Sequence, residues 1–153
     1  MESVQNTFIS STFWTDRIGP TAALSTLKEM KSLESWKVIT ATGQYLKNSW
    51  DQIATNHNLQ ITIQGIPALA SFKFNEADNL SLKTFITQEM LKDEFLATTT
   101  VYSSIAQTEQ VVNEYLDKIN NVFARISKIK NSGQEIKDHL DSPICHSGFQ
   151  RLN

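Results

Sequence analysis

Val112, Tyr115, Leu116, Ile119, Val122, Phe123, Ile126 and Ile129 recur every three or four positions. That spacing places all eight on one face of a helix, and a stripe that long must be covered. Thr108 opens this helix, and Glu109 in its first turn complements the helix dipole. Lys128 and Lys130 suit its C-terminal end, and Gly133 stops it. Whatever else the chain does, it must build a surface against this face.

The covering surface is predicted upstream, where the apolar period changes to two. Leu59, Ile61 and Ile63 alternate with Gln60, Thr62 and Gln64, the pattern of a half-buried strand. Gly65-Ile66-Pro67 makes a turn. Ala68 to Phe74 returns as a second strand, with Ala68, Ala70, Phe72 and Phe74 on one side. After a polar loop at Asn75–Asn79, Leu82, Phe85, Ile86 and Met90 mark a helix ending near Phe95, with Asp93-Glu94 on its solvated surface. Thr98 to Tyr102 favours a third strand. A short amphipathic piece around Ile136–Leu140 ends at Ser142-Pro143.

Two helices precede the sheet. Pro20 suits a first helical turn, with Thr15 or Asp16 as cap, and Ala23, Leu24, Leu27 and Met30 then share a packing face. From about Ser35 to Asn56 a second helix carries Trp36, Ile39, Gly43, Leu46, Trp50 and Ile53 in a seam. Gly43 weakens that helix by about 1 kcal/mol relative to alanine, and allows another backbone to come close. Asn56-His57-Asn58 reads as its stop, His57 being helix-terminal. The summed order gives an α+β fold, a small, largely antiparallel sheet with helices on one face. Before these helices, Met1–Asn6 is polar and reads like the middle of a longer protein, and Thr7–Ser10 is a candidate strand.

Composition narrows the function. A chain of 153 residues, 40% apolar and 20% charged, has the make-up of an ordinary globular domain. A net charge of −2 argues against a nucleic-acid surface built on bulk electrostatics. No apolar run approaches the ~20 residues of a membrane span, so no membrane partner is expected. The N-terminus has no signal-peptide pattern, and the single cysteine, Cys145, fits a reducing, cytoplasmic setting.

No familiar catalytic motif stands out. Gly-x-Ser-x-Gly, Gly-x-Gly-x-x-Gly and the Walker lysine are all missing. Cys145-His146, with Asp138 and His139 nearby, matches no standard zinc spacing, and no metal is expected. The segment Thr7–Met30 is more informative. It passes from β-branched and aromatic residues through a loop with Ser10, Ser11, Thr12 and Arg17 into the Pro20 helix. Such a strand–loop–helix junction can present N–H groups and a hydroxyl to an anion.

This segment resembles the stretch that follows the cofactor-binding lysine in class III pyridoxal-phosphate (PLP) aminotransferases, the glutamate-1-semialdehyde aminomutases in particular. Ser11-Thr12 falls on that family's Gly-Thr pair and Pro20-Thr21-Ala22-Ala23-Leu24 on its Ala-rich helix, and Ser142–Asn153 looks like its C-terminus. The resemblance implies a C-terminal part of a PLP fold type I enzyme, with residues 1–34 as a large-domain junction and 35–153 as the small α+β domain. It further implies PLP as cofactor, a homodimer, and a small amino or keto substrate. Thr12 would reach the cofactor phosphate of the other subunit, with Ser11 as a backbone donor; a serine where the family has glycine makes a close approach harder. Arg17, Trp14 and Arg151 are candidate substrate contacts, each weighed against a surface or packing role. The Schiff-base lysine and the aspartate on the pyridine nitrogen would lie upstream of Met1, so no catalytic residue is assigned, and this chain alone is expected to be inactive. The alternative is a stand-alone, non-catalytic interaction or dimerisation module.

Overall fold

The structure is a computed structural model and describes residues 16–148. The strand expected at Thr7–Ser10 lies outside that range. The chain divides into two compact units, residues 1–36 and 37–153. In chain order the elements are α1 (Ile18–Leu33), α2 (Ser35–Asn56), β1 (Ile61–Gln64), β2 (Leu69–Phe74), α3 (Asn79–Lys92), β3 (Thr100–Tyr102), α4 (Glu109–Asn131) and a 3-10 turn (Ile136–His139). The fold is α+β, as its hydrophobic periods predict.

The sheet is antiparallel throughout, in the order β1-β2-β3. Ile61 pairs with Phe74 and Ile63 with Phe72, while Ala70 pairs with Val101. This register collects Ile61, Ile63, Ala70, Phe72, Phe74 and Val101 on one face, while Leu69 pairs with Tyr102 on the other. The other face carries Thr62 opposite Lys73 and Gln64 opposite Ser71. Helices cover the apolar face. Trp50 of α2 lies 5.0 Å from Phe72, and Phe123 of α4 lies 5.7 Å from Phe72 and 5.6 Å from Phe74, ring centre to ring centre. Tilted and edge-on contacts of this kind add to the burial of the rings themselves.

All eight predicted positions of α4 are buried, and the Thr108 hydroxyl accepts from the Val111 N–H at 3.3 Å as its cap. Gly133, with φ +74°, follows its end. Asn58 takes the left-handed conformation expected just after α2. Gly43 is in close contact with a second backbone: a methyl group there would sit 1.8 Å from the Pro67 carbonyl oxygen in the β1–β2 turn. The glycine in the seam is therefore a docking point for the hairpin, and it outweighs the local loss of helix propensity.

Some expectations change. The α2 seam is buried at Gly43, Leu46 and Trp50, half-buried at Ile53, and gains the buried Ala54, but Trp36 at its start is 47% exposed. Ala68 precedes β2 and is exposed. Helix α3 stops at Lys92, so Asp93 and Glu94 do not decorate its surface. Asp93 caps its C-terminus and pairs with Lys118 at 3.1 Å, and Glu94 turns the chain with φ 67°. Helix α1 starts two residues before Pro20, and none of its residues is buried.

Candidate functional site

Of the residues assigned to an anion or substrate site, Arg17 lies within the described range. Ser11, Thr12, Trp14 and Arg151 lie outside it. Arg17 is exposed and stands at the N-terminus of α1. The first turn of that helix has few donors to offer. The Asp16 carboxylate accepts from the Ile18 N–H at 2.9 Å, Pro20 has no N–H, and the Thr21 N–H bonds to the Arg17 carbonyl. Asp16 already answers the helix dipole. Among the described residues of this segment, the group that fits a phosphate or carboxylate is the exposed Arg17 guanidinium.

Residues 37–148 contain a second candidate. A cleft of about 300 Å³ opens between α2, β3 and the start of α4, lined among others by Leu46, Phe95, Val101, Gln107, Val112 and Tyr115. Its floor is held by a buried pair, the Trp50 indole N–H donating to the Tyr115 hydroxyl at 3.1 Å. Burial pushes the Tyr115 phenol far above its ordinary range, and the hydrogen bond from Trp50 opposes this only in part. Tyr115 is a buried phenol whose hydroxyl ties α4 to Trp50 of α2.

The Cys-His segment is tied up in structure. The Cys145 N–H donates to the Thr84 hydroxyl at 2.9 Å, and the His139 ring meets the Gln134 side-chain oxygen at 3.2 Å. No group of three or more metal-ligating side chains gathers among the described residues. His57 follows α2 and bonds to the Asn120 side-chain oxygen at 2.9 Å, joining α2 to α4.

Sequence reasoning missed the most buried charge among the described residues. The Glu89 carboxylate on α3 is only 4% exposed. It pairs with Arg125 of α4 and with Lys92 at 3.1 Å, and accepts from the Gln88 amide at 2.9 Å. The Arg125 guanidinium also lies over the Phe85 ring, 5.4 Å from its centre. Lys92 at i+3 was a visible hint of pairing, whereas Arg125 is 36 residues away. A carboxylate so fully matched is structural.

No protein-family model matches the sequence, and no curated protein matches it. Among solved structures, the chain is similar to the FumI protein of Sphingopyxis sp. MTA144 in its PLP internal aldimine form, with a TM-score of 0.73 and 18% identity. The likeness covers 86% of this chain and 32% of that one. The fold is that of part of a PLP protein. At this identity the likeness is one of fold, and the chain spans about a third of that protein's length. No described helix is long and apolar enough to cross a membrane.

Proposed function

We propose that this chain is the C-terminal portion of a PLP-dependent class III aminotransferase, nearest in kind to the glutamate-1-semialdehyde aminomutases. The observation that carries this reading is the fold likeness, 86% of this chain laid on 32% of a PLP protein. It agrees with the resemblance at Ser11-Thr12 and Pro20–Leu24, which rests on different information. The uncovered apolar face of α1 supports it too, because Leu24, Leu27 and Met30 are 54%, 62% and 40% exposed. A stripe of that kind calls for a covering surface.

In this reading the chain binds and orients. Thr12 gives its hydroxyl to the cofactor phosphate across a homodimer, with Ser11 adding a backbone N–H. Arg17, Trp14 and Arg151 line the cleft for a small amino or keto substrate, the arginines facing its carboxylate. The cofactor, when bound, supplies the carbonyl that takes up the substrate amine and the ring that spreads the resulting charge. The lysine that anchors it belongs to the part of the enzyme before these residues, and the whole would work in the cytoplasm.

One observation favours a second reading. Residues 37–148 hold their own core, with Trp50, Phe74, Phe85 and Phe123 fully buried. Such a unit can stand alone as a non-catalytic interaction module.

Two measurements test the roles assigned in the first reading. The 153-residue chain mixed with PLP and reduced with borohydride is expected to give no lysine adduct at one specific site; a single stoichiometric adduct would overturn the assignment of roles. In the full-length enzyme, Thr12→Ala is expected to weaken cofactor retention by about 1.5–3 kcal/mol, the loss of a hydrogen bond to a charged acceptor. Unchanged retention would remove Thr12 from the site.

A further inference from the structure

Leu80, Thr84, Gln88 and Lys92 stand four positions apart and so form a row along one edge of α3. The chain after the 3-10 turn runs antiparallel along this row. Lys92 pairs with Asp141 at 2.7 Å. Gln88 grips the backbone twice: its amide N–H donates to the His139 carbonyl at 3.0 Å, and its amide oxygen accepts from the Asp141 N–H at 2.6 Å. The Thr84 hydroxyl accepts from the Cys145 N–H at 2.9 Å and donates to the Leu80 carbonyl at 2.8 Å. The Cys145 thiol approaches that same carbonyl at 3.7 Å.

Apolar burial contributes little to this attachment. Ile136 is buried and pins the start, and Leu140 packs against the core edge. From Asp141 to Ile144 every residue is exposed. Polar bonds alone hold that stretch, and the Lys92–Asp141 pair is exposed enough for salt to screen it.

We infer that residues 137–145 form a detachable strap, latched onto α3 by Gln88 and Thr84, that opens as a unit while the core stays closed. The latch is built so that opening strands no buried charge. Gln88 and Lys92 also donate to the Glu89 carboxylate, at 2.9 and 3.1 Å, and Arg125 pairs with it from α4. When the strap leaves, Glu89 keeps all three partners, whereas Thr84 and the Leu80 carbonyl become open to water. The closed and open states thus share one core, which is the condition for a sub-global opening. This device does not depend on the enzymatic reading.

Hydrogen exchange on the full chain tests it. In the wild type, the Asp141 and Cys145 amides are expected to exchange with weak urea dependence, well before the Ile119 and Phe123 amides. Cys145 is the only cysteine in the chain, so a thiol reagent reads the same opening. Gln88→Ala is expected to speed both exchange at Asp141 and thiol labelling by about tenfold, the scale of losing its two hydrogen bonds to the strap, beyond any change at Phe123 from the lost Gln88–Glu89 bond. Strap amides that exchange only together with Phe123, at the same urea dependence, would overturn the proposal. So would a Gln88→Ala chain whose strap exchanges at the wild-type rate. If that variant does not fold, the wild-type pattern decides by itself.

Discussion

Helices α1 and α4 are written in the same pattern and meet different fates. Both place leucine, isoleucine, valine or methionine at intervals of three and four. Helix α4 buries eight residues in the core, whereas α1, 16 residues long, buries none. The pattern states that a face needs covering; it does not say where the cover comes from. For α4 the cover is Phe72 and Phe74 of the same chain. Helix α1 belongs to the other compact unit, and the proposed large domain is what would cover it.

This contrast can be broken at several points. Phe123→Ala should be the most damaging substitution, costing about 3–5 kcal/mol in urea unfolding, because the ring is fully buried between Phe72 and Phe74. A cost under about 1 kcal/mol would mean that α4 is not the core helix it looks like. Gly43→Ala should come next. A gain in helix propensity of about 1 kcal/mol is offset by a clash with the Pro67 backbone, for a net loss of about 1–3 kcal/mol. A stabilised Gly43→Ala chain would show that the hairpin does not dock there. Thr108→Ala removes the α4 cap and should cost about 1 kcal/mol. Leu27→Ala on α1 should fall within about 0.5 kcal/mol of wild type in this chain. In the proposed full-length enzyme the same substitution should cost about 2–5 kcal/mol, the value for a buried leucine. Equal effects in both settings would erase the distinction between the two helices.

Much of the fold was legible because it rests on local periods. The α4 stripe, the two alternating strands, the Gly-Ile-Pro turn and the glycine in the α2 seam all follow from spacing and side-chain size. The less legible features depend on distant partners. Glu89 looks like a solvated glutamate until Arg125 arrives from α4. Trp36 looks like core because it continues a seam whose cover stops at Gly43. Helix α3 ends three residues before the Phe95 that its pattern predicts, because the left-handed Glu94 breaks the helix that Asp93 and Glu94 would otherwise continue. The candidate site was less legible than the fold. A phosphate-binding loop of hydroxyls has no rigid spacing rule, so Ser11 and Thr12 rest on resemblance, and the structure reaches their neighbourhood only at Asp16 and Arg17.

The central claim is that this chain completes a larger PLP enzyme. The most direct test is the intact mass of the native polypeptide in its source cell, followed by borohydride reduction and peptide mapping. The account predicts a chain about three times as long, as with the structural neighbour of which 32% is matched, carrying a reducible PLP–lysine adduct before the segment equivalent to Thr7. A native polypeptide of 153 residues with no copurifying PLP-binding partner would contradict it and leave the interaction module as the reading that stands.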